Sequence, residues 1–321
     1  MGTAPAAAGR AHRHRFESPF WRKLVIAGVR AMPFGLQRAT MPMWAAIFYA
    51  LVPSARRAVE NNLAQVLGEQ GPWALHRHGY RLFINYAQSI ANMYSLYFSR
   101  GLPVEPRFDG RDRLLAARQL GRGTIVVTGH LGFWQLGPFL LERHGFGVPV
   151  MAMAEEPNAR VQEFEQQLRS RFRIVYTTGS PFALLELASV LREGGSVAMH
   201  LDRHTGGASV MLPFFGRLAP FPVGPATLAR ATGAPLVPVF MVREGKTGFA
   251  SLVEEPYVVA RTADRDADIR AATAHIAGVY ESYVRRYPHQ WFNFHDFWQP
   301  PATLAAPAPG PALLAGGAEP R

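Results

Sequence analysis

The sequence predicts an α/β fold, a mixed, largely parallel central sheet flanked by helices and preceded by a helical N-terminal segment. Three observations carry this. Between Thr124 and Val242, short β-branched or apolar runs alternate with stretches of helical periodicity, and strands that alternate with helices build a sheet covered by those helices. From Ser54 to Arg100 apolar residues such as Leu63, Val66, Leu67, Leu82, Phe83, Tyr86 and Ile90 recur mainly at spacings of three and four, the helical signature. Finally, a chain of 321 residues that is 48% hydrophobic and only 18% charged can bury a large core, which excludes a disordered, collagen-like or coiled-coil chain. Large α/β units reach this length as one domain.

In chain order, residues 1–15 are an Ala/Gly/Arg/His-rich arm without the apolar run of a secretory signal, which places the expected start of the protein in the cytoplasm. Residues 16–300 form the single domain, helical over 16–100 and α/β over 101–300, and residues 301–321 are a Pro/Ala-rich disordered tail. Trp21 to Pro53 is apolar but interrupted by Arg30, Pro33, Gly35, Arg38 and Pro42, so it falls short of a spanning helix. It reads either as a membrane-associating pair of interfacial helices or as an amphipathic pair packed on the core. In the first case Trp21, Trp44 and Tyr49 sit at headgroup level, and Arg22, Lys23, Arg30 and Arg38 face phosphates. Strands are expected at Thr124–Gly129, Val148–Ala154, Arg173–Thr177, Ser196–Leu201 and Pro235–Val242. Helices are expected at Trp134–His144, Arg160–Arg171, Pro181–Glu193, Pro225–Thr232 and Asp266–Tyr287, before an aromatic cluster, Trp291–Trp298.

The net charge of +11 is almost wholly arginine, the only lysines being Lys23 and Lys246. Guanidinium groups suit planar anions, and this charge fits an anionic membrane surface or a phosphorylated substrate as well as nucleic acid. The arginines are dispersed and no nucleic-acid module is present, so no nucleic-acid partner is expected. With no cysteine, thiolate metal sites and a cysteine acyl-enzyme are excluded. Gly245-Lys246-Thr247 ends like a nucleotide-binding loop, but Phe240 stands where its first glycine belongs. No G-x-S-x-G elbow or H-E-x-x-H pair occurs.

The informative segment is Ile125-Val126-Val127-Thr128-Gly129-His130-Leu131-Gly132-Phe133-Trp134-Gln135-Leu136-Gly137. A strand ends in Thr-Gly, a histidine follows on a loop, and a helix begins, which puts His130 at the carboxyl edge of the sheet, where α/β folds bind ligands. The positive end of that helix is expected to favour the neutral imidazole that a general base requires.

This TGHLGFWQLG segment resembles the H-x4-D/E block of the bacterial lipid A biosynthesis acyltransferases, members of the lysophospholipid acyltransferase superfamily. Glu155-Glu156-Pro157-Asn158, the stretch from His200 to Arg217 (HLDRHTGGASVMLPFFGR), Pro222 to Glu244, and the closing PHQWFNFHDFW are similar to the family's later blocks, in order, over roughly residues 20–300. The resemblance implies an enzyme on the cytoplasmic face of the inner membrane. It would move a fatty acyl group from an acyl carrier protein or coenzyme A thioester to a lipid or glycolipid hydroxyl, without a cofactor. His130 would be the general base in a direct transfer. Glu155, Asn158, Arg203 and Arg217 are the corresponding substrate contacts, and Phe214, Phe215 and Phe221 either line an acyl groove or belong to the core.

The sequence departs from the family pattern at Gln135, where the acidic residue belongs. Another carboxylate (Asp202 first, or Glu155 or Glu156) or a substrate phosphate takes over its part, or the protein is a catalytically degenerate lipid-binding protein of the same fold. His200, Asp202 and His204 would point the same way on an extended segment and so could hold a divalent ion, although no fourth ligand is identifiable and a plain site aspartate is the expected reading. His295-Asp296 is read as a packed polar pair rather than a second acid–base dyad.

Overall fold

The structure, a computed structural model, describes residues 19–97, 106–153, 173–177, 182–203, 208–245 and 248–299, with side chains from Lys23 onward. The expected arm, the tail and the Arg160–Arg171 helix lie outside these residues, as do the side chains of Trp21 and Arg22.

Helices α1 (Pro19–Ala31) and α2 (Phe34–Leu51) are separated at Pro33, which has no N–H to donate and whose ring disfavours a helical conformation in the residue before it. Gln37 reaches back so that its amide donates to the carbonyls of Val29 and Met32, 2.8 Å each, and satisfies the end of α1. The helical segment expected over Ser54–Arg100 holds two helices, α3 (Pro53–Leu67) and α4 (Pro72–Tyr97). Gly68, at φ 77°, ends the first and Pro72 opens the second.

The central sheet contains β1 (Arg107–Asp109), β2 (Thr124–Thr128), β3 (Val150–Met153), β4 (Ile174–Tyr176), β5 (Ser196–His200), β8 (Leu236–Glu244) and β9 (Gly248–Val253). Its order is β1-β9-β8-β2-β5-β3-β4. All neighbours are parallel except β8 and β9, so the sheet is mixed but largely parallel, as the sequence predicts. Each of the five expected strands is present. Strands β1 and β9 were not expected, nor was the antiparallel hairpin of β6 (Ser209–Phe214) and β7 (Arg217–Pro222). Pro213, Pro220 and Pro222 argue against strands in that stretch, yet a two-stranded ribbon tolerates prolines on its unpaired edges.

Strand β2 shows how the layers assemble. Ile125 and Val127 face α7 (Ala183–Arg192), α8 (Gly224–Thr232) and α9 (Arg265–Arg286), whereas Val126 faces α4, α5 (Arg111–Gln119) and α6 (Gly137–Arg143). All three are buried, so the strand is apolar on both faces, which is why it reads as a continuous run rather than an alternation. The chain closes through the aromatic cluster at 291–298. Asn62 of α3 holds it by donating to the carbonyls of Asn293 (3.1 Å) and His295 (2.8 Å) and accepting from the Phe297 amide (3.1 Å).

Candidate active site

Parallel pairing sets Thr128, the last residue of β2, opposite His200, the last residue of β5. Two residues further along each chain stand His130 and Asp202. The connection from β2 crosses to β3 on one side, and the chain leaving β5 crosses to β8 on the other, so the two residues flank the point where the topology reverses.

The His130 loop is fixed by backbone. The Phe292 amide donates to the His130 carbonyl, the Gly132 amide to the Gln290 carbonyl and the Phe133 amide to the Met241 carbonyl, each at 2.7 Å. Two glycines make this approach possible. A Cβ on Gly132, which has φ 63°, would lie 1.9 Å from the Met241 carbonyl oxygen, and one on Gly129 would lie 2.4 Å from the ring of Tyr280.

Asp202 accepts four hydrogen bonds. Its Oδ1 takes one from His130 Nδ1 (2.8 Å), and its Oδ2 takes one each from the His130 amide (2.7 Å), the Tyr280 hydroxyl (2.5 Å) and the Asn293 side-chain amide (3.4 Å). Burial raises the Asp202 pKa, but the pairing with His130, the nearby His200 and the Tyr280 hydroxyl overcome it and hold the carboxyl well below its ordinary range. An ionised carboxylate only accepts, so the proton of a neutral His130 sits on Nδ1 and Nε2 keeps its lone pair. Burial lowers the His130 pKa, Arg203 lowers it further, and Asp202 opposes both. The neutral imidazole expected at this position is therefore present, but its cause is different. The expected helix starts as a 3-10 turn, Trp134–Leu136, and α6 begins only at Gly137, so burial beside an arginine takes the place assigned to a helix dipole. His200 stacks on the His130 ring at 4.5 Å between centroids, and Trp134 meets it edge-on at 4.9 Å.

Gln135 does not pair with His130. It is buried on the 3-10 turn, and its Oε1 has no hydrogen-bond partner among the described residues. Arg203 is exposed beside the pair and acts on His130, Tyr280 and His295 through its charge. Glu155, Glu156, Asn158 and His204 lie outside the described residues. The metal triad thus lacks a described third member, and both oxygens of Asp202 are already engaged. Phe214 and Phe221 are completely buried, locked against Tyr280, Trp291 and Phe297, so they are core rather than groove wall. Phe215 is also buried, at the hairpin turn, with its amide donating to Glu281 and Arg285 over its ring. Arg217 sits over Trp298 at 5.8 Å on the hairpin. Asp296 caps the Trp298 amide (3.2 Å), a structural part, and the His295 side chain is exposed. Sequence reasoning missed Tyr280 and Asn293. The tyrosine lies inside a predicted helix and the asparagine inside the aromatic cluster, and neither carries a local signal of its role.

A family model described as bacterial lipid A biosynthesis acyltransferase matches residues 13–300. The chain belongs to this family. It is an acyltransferase of the lipid or glycolipid type. Among its relatives, a phosphatidylinositol mannoside acyltransferase from Mycolicibacterium smegmatis is 27% identical over 280 residues, 84% of this chain and 88% of the relative. A protein of the same description from Mycobacterium tuberculosis is 30% identical over 195 residues, 59% of this chain and 58% of the relative. The crystal structure of the 1-acyl-sn-glycerophosphate acyltransferase PlsC from Thermotoga maritima aligns at a TM-score of 0.38 and 13% identity, covering 78% of this chain and 97% of that one.

Proposed function

We propose that the protein transfers a fatty acyl group from an acyl carrier protein or coenzyme A thioester to a hydroxyl of a glycosylated phospholipid, with His130 as general base. The observation that carries this is the buried His130–Asp202 pair at the switch point of the sheet. In the reaction, Nε2 of His130 takes the acceptor proton as the hydroxyl oxygen attacks the thioester carbonyl, and Asp202 stabilises the imidazolium through the Nδ1–H bond. Collapse of the tetrahedral intermediate breaks the C–S bond, and the proton on Nε2 passes to the leaving thiolate. Arg203 is assigned to the phosphate of donor or acceptor by its position and its planar cation. The acceptor class follows the names of the relatives. Against the degenerate lipid-binding alternative, which rests on Gln135 in place of a carboxylate, stands the Asp202 carboxylate bonded to His130 Nδ1.

The reaction takes place at a membrane surface, the cytoplasmic face of the inner membrane in this reading. No helix among the described residues is long and apolar enough to cross a membrane. Helix α2 instead exposes Leu36, Met43, Ile47 and Leu51, whose spacings of seven, four and four put them on one face, with Leu24 of α1 also exposed. Lys23, Arg30 and Arg38 are exposed on the same two helices. Tyr49 does not reach a headgroup level. Its hydroxyl bonds Glu60 and its ring packs on Phe83 and Tyr80.

The test is acyl transfer from a radiolabelled thioester to glycosylated phospholipid acceptors. The His130→Ala enzyme is expected to fold normally and lose about 10² to 10⁴ in rate. Near-normal turnover in that variant overturns the mechanism.

A further inference from the structure

Tyr280 of α9 is completely buried, and its ring stacks on those of Phe214 and Phe240 at centroid distances of 5.9 and 5.8 Å. Phenylalanine would make the same ring contacts without burying a polar atom, whereas a hydroxyl taken out of water costs free energy unless it finds a partner. The chain beside it also gives way. Gly129, the residue before His130, leaves the space that the phenol occupies, and a Cβ there would lie 2.4 Å from the Tyr280 oxygen. That oxygen is bonded to Asp202.

The bonds on Asp202 are unevenly shared. Among the described residues, Oδ1 accepts from His130 Nδ1 alone, while Oδ2 accepts from the His130 amide at 2.7 Å, Tyr280 at 2.5 Å and Asn293 at 3.4 Å. Of the two side chains on Oδ2, the phenol forms the short, charge-assisted bond and the amide a long one. Burial and the carboxylate push the Tyr280 pKa well above the ordinary phenol value, so the hydroxyl keeps its proton and donates. With Oδ2 held in this way the carboxylate cannot turn, and Oδ1 stays on the imidazole. The same bond draws charge from the carboxylate, which makes Asp202 a weaker base and leaves the shared proton on Nδ1.

We propose that Tyr280 is a positioning residue for acyl transfer, one that locks Asp202 with Oδ1 on the His130 ring and moderates the charge that the carboxylate presents to the imidazolium. This rests on His130 being the general base.

The proposal has a pH signature. His130 is faced by His200, Asp202 and Arg203 at and just past the end of β5, and His295 of the closing segment bears on it electrostatically. Tyr280 reaches it through Asp202. Removing the hydroxyl leaves more negative charge on Asp202, stabilises the imidazolium and raises the His130 pKa. A stronger donor at the same place lowers it.

Two forms of the full chain test this, Tyr280→Phe, which removes one oxygen and keeps the ring, and 3-fluorotyrosine in place of Tyr280, whose hydroxyl is the stronger donor. The His130 ring is titrated by NMR in both and in the wild type, and acyl transfer is followed against pH. Tyr280→Phe is expected to lower kcat about tenfold with KM within about twofold. It should also move the His130 titration and the acid limb of the rate upward together by about half a pH unit, and the fluorinated protein should move both downward. Wild-type kcat in a folded Tyr280→Phe protein overturns the proposal, and so does a lowered kcat with an unmoved titration, which marks a packing role. If Tyr280→Phe does not fold, the fluorinated protein decides, a downward shift supporting the proposal and an unmoved titration overturning it. Failure of the general-base reading shows itself separately, as turnover retained in His130→Ala, whatever the titrations do.

Discussion

At the scale of single residues, the site depends on which carboxylate serves His130, and two substitutions separate the possibilities. Asp202→Asn keeps the size of the side chain but replaces an ionised acceptor with a group that cannot stabilise an imidazolium. The expected result is a loss of about 10² to 10⁴ in turnover with little change in substrate affinity, measured as kcat against KM. Gln135→Glu restores the acid common to the family's block. Because Gln135 is buried away from the pair and its oxygen has no partner, the added carboxylate should give no gain in rate. It should also lower thermal stability, since an unpaired buried charge costs on the order of a few kcal/mol. A marked gain in rate from Gln135→Glu, with Asp202→Asn at wild-type level, would return the role to position 135. Gly132 is the third residue at this scale. Alanine there would clash with the Met241 carbonyl, a backbone atom that cannot move aside, and φ is in the left-handed region. Gly132→Ala is expected to destabilise the protein by about 3 kcal/mol or more, read by chemical denaturation.

At the scale of elements, helix α2 has two unlike faces. Gln37, Met41 and Ala45 are buried against neighbouring helices, while Leu36, Met43, Ile47 and Leu51 are exposed. Replacing the four exposed residues by serine removes no core packing, so the thermal melt should remain close to wild type. Binding to neutral vesicles should drop at least tenfold, given roughly 25 cal/mol per Å² of apolar area no longer transferred from water. A variant that still binds vesicles fully would show that α2 does not make the contact. The elements also show where sequence patterns mislead. The apolar spacing over Ser54–Arg100 marks a helical segment but does not place the break between α3 and α4, which Gly68 and Pro72 make. The prolines of the β6–β7 hairpin concealed two strands because a ribbon outside the main sheet does not need every N–H.

At the scale of the whole molecule, two histidines bind protons more weakly when folded. Burial is the largest cause for both His130 and His289, and it lowers the latter to about 4. The unfolded chain, with histidines near 6.5, therefore takes up more protons than the native state between about pH 6.5 and about 4, and stability must rise with pH across that window. Asp202 works in the same direction at lower pH, since its depressed pKa contributes stability that is present above the unfolded carboxylate value and is lost as pH falls through the folded one. Thermal melts recorded from about pH 7 down to about 4 should show Tm falling continuously, and a flat profile would contradict the burial of these rings. The rate should have an acid limb below about 6.5 as His130 takes up its proton.

By itself the sequence determined the architecture. Alternating apolar runs and helical stretches specify a largely parallel sheet between helices because parallel strands require crossovers and burial on both faces. It also determined that His130 lies at the carboxyl edge of that sheet, because a strand, a Thr-Gly stop and a loop are adjacent in the chain. Only the tertiary structure decided what His130 meets. Asp202 comes to it from 72 positions away through the register of β2 and β5, Tyr280 from α9 through the space that Gly129 leaves, and Asn293 from the closing segment. Phe214 and Phe221 likewise are packed into the core, and Gln135 is buried without bonding His130, through contacts made across the fold. Local patterns record what neighbouring residues do to one another, whereas hydrogen bonds across a sheet edge depend on strand order and register, and those are set by the packing of the whole chain.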